Sequence, residues 1–398
     1  MDILYISSLC SNSKFRDLFE NATIKPVQQA QKYHLLMVEG LAQNEGTYIT
    51  VLSSKPVNRS ISAQFYYRNE KEEVNGIEYR YLAFINWPIL RQIFLFFACF
   101  FFALKWLLKK KEGIVICDVL NISIASAAIL ASMITRTRSV GIVTDVPVFF
   151  ARMSRDKISL INKVVMTINT LIMNRFKAYV FLTQYMNELI NKKQKPYIVI
   201  EGQVDIKMSK VINDLDGKYE KKICMYTGAL QRIYGIKLLT DAFVAAEVNN
   251  TELHIYGSGD FGEELREICK ECPSIKYFGV VSNDVVIQEQ IKAILLVNPR
   301  PTTEEYTKYS FPSKNMEYMV SGTATLTSNL PGMPTDYQQY VYLIEYETVA
   351  GLTDTLKDIL SKTKEELHHK GLAAKKYVLE NKNNVIQAGK VIAMLRKE

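Results

Sequence analysis

The feature that most constrains this chain is an alternation of short apolar runs and longer helical stretches that proceeds once, halts, and starts again. "DILYIS" opens the series as a buried strand followed by a loop of small polar residues, Ser7 to Ser13. A helix is expected over Gln28–Gln43. Strands are expected at Tyr48–Ser53, Tyr79–Phe84, Gly113–Asp118, Ser139–Thr144 and Ala178–Thr183. Helical stretches between them predict a parallel sheet with helices on both faces. A polar stretch at Lys192–Pro196 and a charged, glycine-bearing one at Asp205–Lys222 then interrupt the pattern and read as a domain linker. It resumes with strands at Ile223–Tyr226, Glu252–Tyr256, Ile275–Phe278, Ala293–Val297, Thr323–Thr327 and Val341–Ile344. A chain of 398 residues is too long for one ordinary core and suits two such units. The expected architecture is therefore α/β, with two doubly wound Rossmann-like domains. Residues 1–204 form the first and 205–380 the second, and a closing helix over 381–398 crosses back to the first. Facing sheets of this kind would turn their carboxyl edges onto one central cleft, where ligands bind.

Charge is unevenly placed. Residues 1–200 hold 25 Lys+Arg and 14 Asp+Glu, a balance of +11; the remaining residues hold 24 and 27, a balance of −3. So basic a first half predicts an anionic partner. No aromatic RNA-binding signature or zinc-finger spacing is present, so nucleic acid is not expected. An anionic membrane surface or a lipid phosphate fits better. The six cysteines sit mostly in apolar runs and read as buried thiols of a reducing compartment. Cys269 and Cys272 form a lone CxxC, read as one helix face from Glu263 to Cys272. The four histidines are scattered, and the DxD at Asp214 and Asp216 lies in a polar stretch, so no metal site is expected. "MDILYISS" lacks a basic start, and no signal peptide is expected.

The strongest local signal is "YSFPSKNMEYMVSG", Tyr309–Gly322. A buried strand ends near Asn298, a loop follows, and Pro312 stands at a helix start, with Ser313 expected as the N-cap. Free backbone N–H groups and the positive end of the helix dipole suit a diphosphate there. Lys314 adds a charge, and Glu317, one turn on, can take two ribose hydroxyls. An ordinary capped helix with a surface Lys and Glu would read the same way.

This segment resembles the signature of family-4 (group 1) retaining glycosyltransferases, in the capsule and exopolysaccharide variant with an FPSK…EY…SG core. "YTGAL" with Gly235 and "LLTDAF", "LHIYGSGD", "IKYFGVV" and "TSNLPGMP" match in order through the C-terminal half. "IVTDVP" (Ile142–Pro147), "IVIEGQVD" and the closing "KKYVLENKNN" match more loosely. The resemblance implies a GT-B fold and a nucleoside diphosphate sugar as donor. The implied acceptor is a lipid-linked oligosaccharide, in cell-surface polysaccharide synthesis on the cytoplasmic face of the plasma membrane. Configuration would be retained, and neither metal nor cofactor used. It carries the ribose-binding role to Glu317 and the diphosphate approach to Gly228. It carries base contact to Val280 and Val281, and a phosphate-facing helix start to Ser313 and Lys314. Three departures stand out. Tyr309 occupies the place of a second glutamate, with Glu304 or Glu305 as substitutes. Ala229 stands where an arginine is common, and Tyr234 where a lysine is. Arg232 then becomes the leading diphosphate clamp and Lys237 the second. Asp145 is a looser carry-over, either orienting or deprotonating the acceptor hydroxyl or merely capping a turn. Catalysis would rest on Asp145, Arg232 and Lys314. Two other readings share the scaffold: a sugar-nucleotide epimerase, and an inactive nucleotide-sugar- or membrane-binding partner of another transferase.

One segment stands outside these motifs. "IFLFFACFFFAL", Ile93–Leu104, is a 12-residue uncharged run, shorter than the roughly 17–25 residues that cross a bilayer. It reads as a buried helix or as one lying in the membrane interface, with Trp106, Lys105 and Lys109–Lys111 at the headgroups. The phenylalanine load and the basic surroundings favour the interface.

Overall fold

A computed structural model of the chain describes residues 1–26, 28–146 and 160–397, with side chains of residues 160–165 left aside. The chain forms two compact units, Met1–Gln203 with Asn384–Glu398, and Val204–Asn383.

Besides a two-residue antiparallel pair, Tyr66–Tyr67 with Phe84–Ile85, the strands of unit 1 are β1 (Asp2–Ser7), β2 (Tyr48–Ser53), β3 (Glu70–Val74), β4 (Ile77–Tyr81), β5 (Ile114–Asp118), β6 (Arg138–Val143), β7 (Ala178–Phe181) and β8 (Tyr197–Val199), and it is these eight that form the main sheet. They make one sheet in the order β8-β7-β6-β5-β1-β2-β4-β3, parallel except for the β3–β4 hairpin. The order reverses direction at β1, which lies between β2 and β5. That reversal opens a crevice at the carboxyl ends of β1 and β5. The central strands are buried along nearly their whole length, because helices cover both faces. Helices α1 (Asn12–Asn21), α2 (Gln28–Gln43), α3 (Pro88–Lys109), α4 (Ile122–Thr135), α5 (Leu160–Met173) and α6 (Gln184–Ile190) supply that cover.

The apolar run at 93–104 extends in the structure to a 22-residue helix, long and apolar enough by length and composition to cross a bilayer. Pro88 supplies its first residue, where a missing N–H costs nothing. Its buried stripe is Leu95, Cys99, Ala103 and Leu107, one residue every fourth, and this stripe packs on α4. α3 is thus half core and half surface. Trp106 is half-buried. Its ring lies so close to Gly113 that a Cβ there would meet it at 2.4 Å. The exposed tryptophan is Trp87, just before the helix.

Unit 2 holds β9 (Lys222–Ala229), β10 (Thr251–Ser258), β11 (Ile275–Gly279), β12 (Leu295–Asn298), β13 (Ala324–Ser328) and β14 (Tyr342–Ile344). Every pairing is parallel, in the order β11-β10-β9-β12-β13-β14. The switch point lies between β9 and β12. The helices are α7 (Ile236–Ala246), α8 (Gly262–Glu271), α9 (Asn283–Lys292), α10 (Ser313–Ser321), α11 (Val349–Ser361) and α12 (Lys364–Asn381). The stretch before β9 is not a free linker. Asn213 is buried and donates to Ser321 O at 2.8 Å, which ties residues 205–222 to unit 2. The DxD is a turn, with Asp214 Oδ1 accepting from the Gly217 N–H.

The last helix, α13 (Asn384–Arg396), belongs to unit 1. It adds Ala388, Val391, Ile392 and Leu395 to the core that β1 and β5 build. It touches α2 at Gly40, where a Cβ would stand 2.1 Å from Asn384 O. Only a glycine lets the two backbones approach that far.

Candidate functional site

The candidate donor site sits at the switch point of unit 2. Gly228, near the end of β9, and Gly257, on β10, pair in register, with φ of 143° and 131°. L residues with side chains rarely adopt such angles. A Cβ on Gly257 would lie 1.7 Å from Gly228 O, and one on Gly228 would lie 2.0 Å from Lys314 Cε and Nζ. The Lys314 ammonium therefore lies across bare backbone at the carboxyl edge of the sheet.

A set of buried polar side chains holds α10 in that place. Asn315 accepts from Asn298 Nδ2 at 2.7 Å and donates to Thr327 Oγ1 at 3.2 Å, tying the first turn to the ends of β12 and β13. The Tyr318 hydroxyl accepts from the Thr227 N–H at 2.9 Å, immediately before Gly228. Burial holds the Tyr318 hydroxyl protonated well above its usual range. Gln290 steadies the Thr227 hydroxyl from α9. Each group is satisfied inside the fold, so the network is rigid and aims the helix start at the switch point. The expectation for Ser313 needs correction. Pro312 is the N-cap, without a side-chain cap bond, and Ser313 is the first helical residue, exposed. Proline suits the N-cap because no N–H is required of it there, so the serine hydroxyl is not used to cap. Glu317 lies one turn further along, half-buried.

The two expected clamps stand together and are already partnered. Arg232 donates to Glu264 and lies over the Phe261 ring, and its N–H is taken by Asp260 at 2.9 Å. Lys237 pairs with Asp241 at 3.0 Å and reaches Glu264 at 3.6 Å. These side chains are exposed, so the pairs are weak and a phosphate could replace Glu264. The sequence reading missed Arg300, just beyond β12. Its guanidinium lies between the rings of Tyr234 at 4.9 Å and Tyr306 at 4.7 Å, and it makes no ion pair among the described residues. "NPRP" between a strand and the FPSK segment was the available signal. Tyr309 ends a short turn of helix, Glu305–Tyr309, and Glu304 and Glu305 are exposed. Val280, after Gly279 at φ 68°, is exposed, and Val281 packs against the core cluster that includes Tyr256 and Tyr318.

In unit 1, Asp145 lies two residues beyond β6, half-buried, with Oδ1 accepting from the Val146 N–H at 2.7 Å. Pro147, which follows, lies outside the described residues. Cys269 and Cys272 are free thiols; Cys272 caps the end of α8. Among the described residues no group of three or more His, Cys, Asp or Glu side chains is placed to hold a metal ion.

Residues 221–362 match the family model "Glycosyl transferases group 1". No curated protein sequence matches the chain. Among solved structures, sucrose-phosphate synthase from Thermosynechococcus elongatus superposes with a TM-score of 0.68 at 13% identity, over 100% of both chains. Anabaena HepE in complex with UDP gives 0.62 at 14% identity, over 100% of both. The lipopolysaccharide outer core galactosyltransferase WaaB gives 0.61 at 16% identity, over 100% of this chain and 99% of that one. At such identities the likeness establishes the fold, which is GT-B with two Rossmann-like domains.

Proposed function

We propose that this chain is a glycosyltransferase that moves a sugar from a nucleoside diphosphate sugar to an acceptor hydroxyl. The observation that carries the reading is the placement of Lys314 across Gly228, at the start of α10 and at the switch point of unit 2. A leaving diphosphate gains charge as its bond to the sugar breaks. An ammonium, a bare strand end and helix N–H groups fixed in place beforehand stabilise that charge without reorganising. Arg300 and Arg232 stand in the same loop cluster as further cations. Glu317 is assigned the ribose hydroxyls, Val280 and Val281 the base, and Asp145 the acceptor hydroxyl. The group 1 domain over residues 221–362 supports donor use, as do fold neighbours solved with UDP, UDP-glucose and ADP. We further propose retention of configuration, with no need of a metal.

We assign the acceptor to a lipid-linked glycan at the cytoplasmic face of the plasma membrane, in cell-surface polysaccharide synthesis. The outer face of α3 supports this. Ile89, Ile93, Phe94, Phe97, Phe101 and Leu108 are exposed, at 73% and 62% for Ile89 and Phe101. Leu130, Met133 and Ile134 continue the apolar surface on α4. Lys105, Lys109, Lys110, Lys111 and Arg136 border it, which fits an anionic bilayer. Because the buried stripe commits one face of α3 to unit 1, the helix lies on the surface of the bilayer and does not span it. The test is incubation of purified protein with a panel of nucleotide sugars and a membrane lipid extract. A glycosylated lipid whose new linkage keeps the donor's anomeric configuration is expected. Full consumption of no donor and transfer to no lipid would sink the proposal.

A further inference from the structure

Unit 1 carries a second site that the donor chemistry does not use. At its own switch point, where β1 and β5 end, lies a cavity of about 230 Å³, lined by Ser8, Gln31, His34, Asn58, Arg91 and Asp118 among apolar neighbours. That volume accommodates one sugar ring. Most polar atoms in the lining are occupied. Gln31 bonds the backbone of Cys10 through both ends of its amide, and Ser8 bonds Ser54. Three groups are not.

His34 is only 3% exposed. The Tyr5 hydroxyl, which burial keeps protonated, pairs with His34 Nδ1 at 2.6 Å. Nε2 makes no hydrogen bond among the described residues and stands 3.5 Å from Asp118 Oδ2. Asp118 spends Oδ1 on the Leu120 N–H. A buried ring nitrogen without a hydrogen bond and a carboxylate oxygen thus face each other across a gap too long for direct bonding, and a hydroxyl can bridge them. Arg91 is the cation of the cavity. Its Nε is buried without a partner, it forms no ion pair among the described residues, and its polar contact is a 3.4 Å bond to Lys55 O. A half-buried guanidinium held by one long hydrogen bond and the face of Phe84, with no carboxylate beside it, favours an anion. Arg91 also lies in the first turn of α3, between the exposed Leu90 and Ile93 of its apolar face.

We infer that this cavity binds a sugar phosphate, with the phosphate on Arg91 and a ring hydroxyl bridging His34 Nε2 and Asp118 Oδ2. The inference rests on the glycosyltransferase reading for its role, since a sugar phosphate on a lipid would place its chain along α3 and its sugar in unit 1. Its binding chemistry can be judged separately.

The experiment is calorimetric titration of the full chain with glucose, galactose and N-acetylglucosamine 1-phosphates, the free sugars, and inorganic phosphate. UDP and the other nucleoside diphosphates are titrated in parallel to report on unit 2. At least one sugar phosphate is expected to bind at least tenfold more tightly than its free sugar and than inorganic phosphate. Arg91→Gln and Asp118→Asn should each weaken it at least tenfold while nucleotide affinity stays within about twofold. Comparing the soluble sugar phosphate with the same headgroup on a polyprenyl chain in neutral vesicles identifies the source. Tighter binding of the lipid form assigns a lipid headgroup, and equal binding assigns the free metabolite. Phosphate binding as tightly as sugar phosphate would overturn the inference. So would unchanged binding by both variants, or nucleotide binding with no sugar phosphate binding. Failure of every nucleoside diphosphate to bind would instead remove the donor reading and leave the cavity judged by its own titration.

Discussion

At the scale of single residues, the proposed donor site turns on groups whose places are fixed by what surrounds them. Glu317 follows Lys314 by one turn on a helix pinned through Asn315 and Tyr318. If its carboxylate takes ribose hydroxyls, Glu317→Ala is expected to weaken nucleotide binding and activity tenfold or more. A charged hydrogen bond contributes about 1.5–3 kcal/mol. Equilibrium binding of nucleoside diphosphate to the variant, beside its melting temperature, checks this; wild-type affinity would remove the assignment. Arg300 is held between two rings without a carboxylate, whereas Arg232 must first leave Glu264. Arg300→Gln should therefore lower turnover by more than Arg232→Ala does. Steady-state rates with saturating donor decide between them, and the reverse order would return the clamp to Arg232. If these cations and the helix start carry the developing charge, activity should also survive an excess of chelator. An absolute requirement for manganese or magnesium would contradict that.

At the scale of elements, α3 divides its residues by face. Leu95, Cys99, Ala103 and Leu107 hold it to α4, while Phe94, Phe97 and Phe101 face outward. Changing those three phenylalanines to serine is expected to abolish sedimentation with anionic vesicles at low salt and leave the melting temperature within a few degrees. Leu95→Ala should act the other way, costing about 2–5 kcal/mol of stability through the cavity it leaves. Vesicle binding that survives the triple change, or a triple variant that unfolds, would place the helix in the core and end the membrane assignment. The face also shows why a run of apolar letters is ambiguous. The same composition serves a buried stripe and a lipid-facing one, and only the packing of one side on α4 separates them.

At the scale of the whole molecule, unit 1 is completed by residues from both ends of the chain. Truncation before Asn384 removes Ala388, Val391, Ile392 and Leu395 from its core and uncovers α2 at Gly40. The melting temperature of unit 1 is expected to fall by about 10 °C or more. Circular dichroism of the truncated chain tests this, and an unchanged melt would show the helix to be dispensable. The sequence alone determined the repeating strand–helix units and most strand positions to within a few residues, though β3 and β8 were not foreseen. Those follow from local periodicity and turn chemistry, which each segment carries by itself. It also made visible the FPSK segment, where a helix start and a cation stand side by side in the chain; that Lys314 lies across Gly228, from a distant strand, only the fold shows. Tertiary structure decided the rest. Pro312 displaced Ser313 as cap because buried Asn315 fixed where the helix begins. Arg300 became a cation of the site only when Tyr234 and Tyr306 came from separate segments to hold it. The Tyr5, His34, Arg91 and Asp118 cluster draws on two strands and two helices far apart in sequence. No periodicity records such a meeting, since it exists only once the sheet order places β1 beside β5.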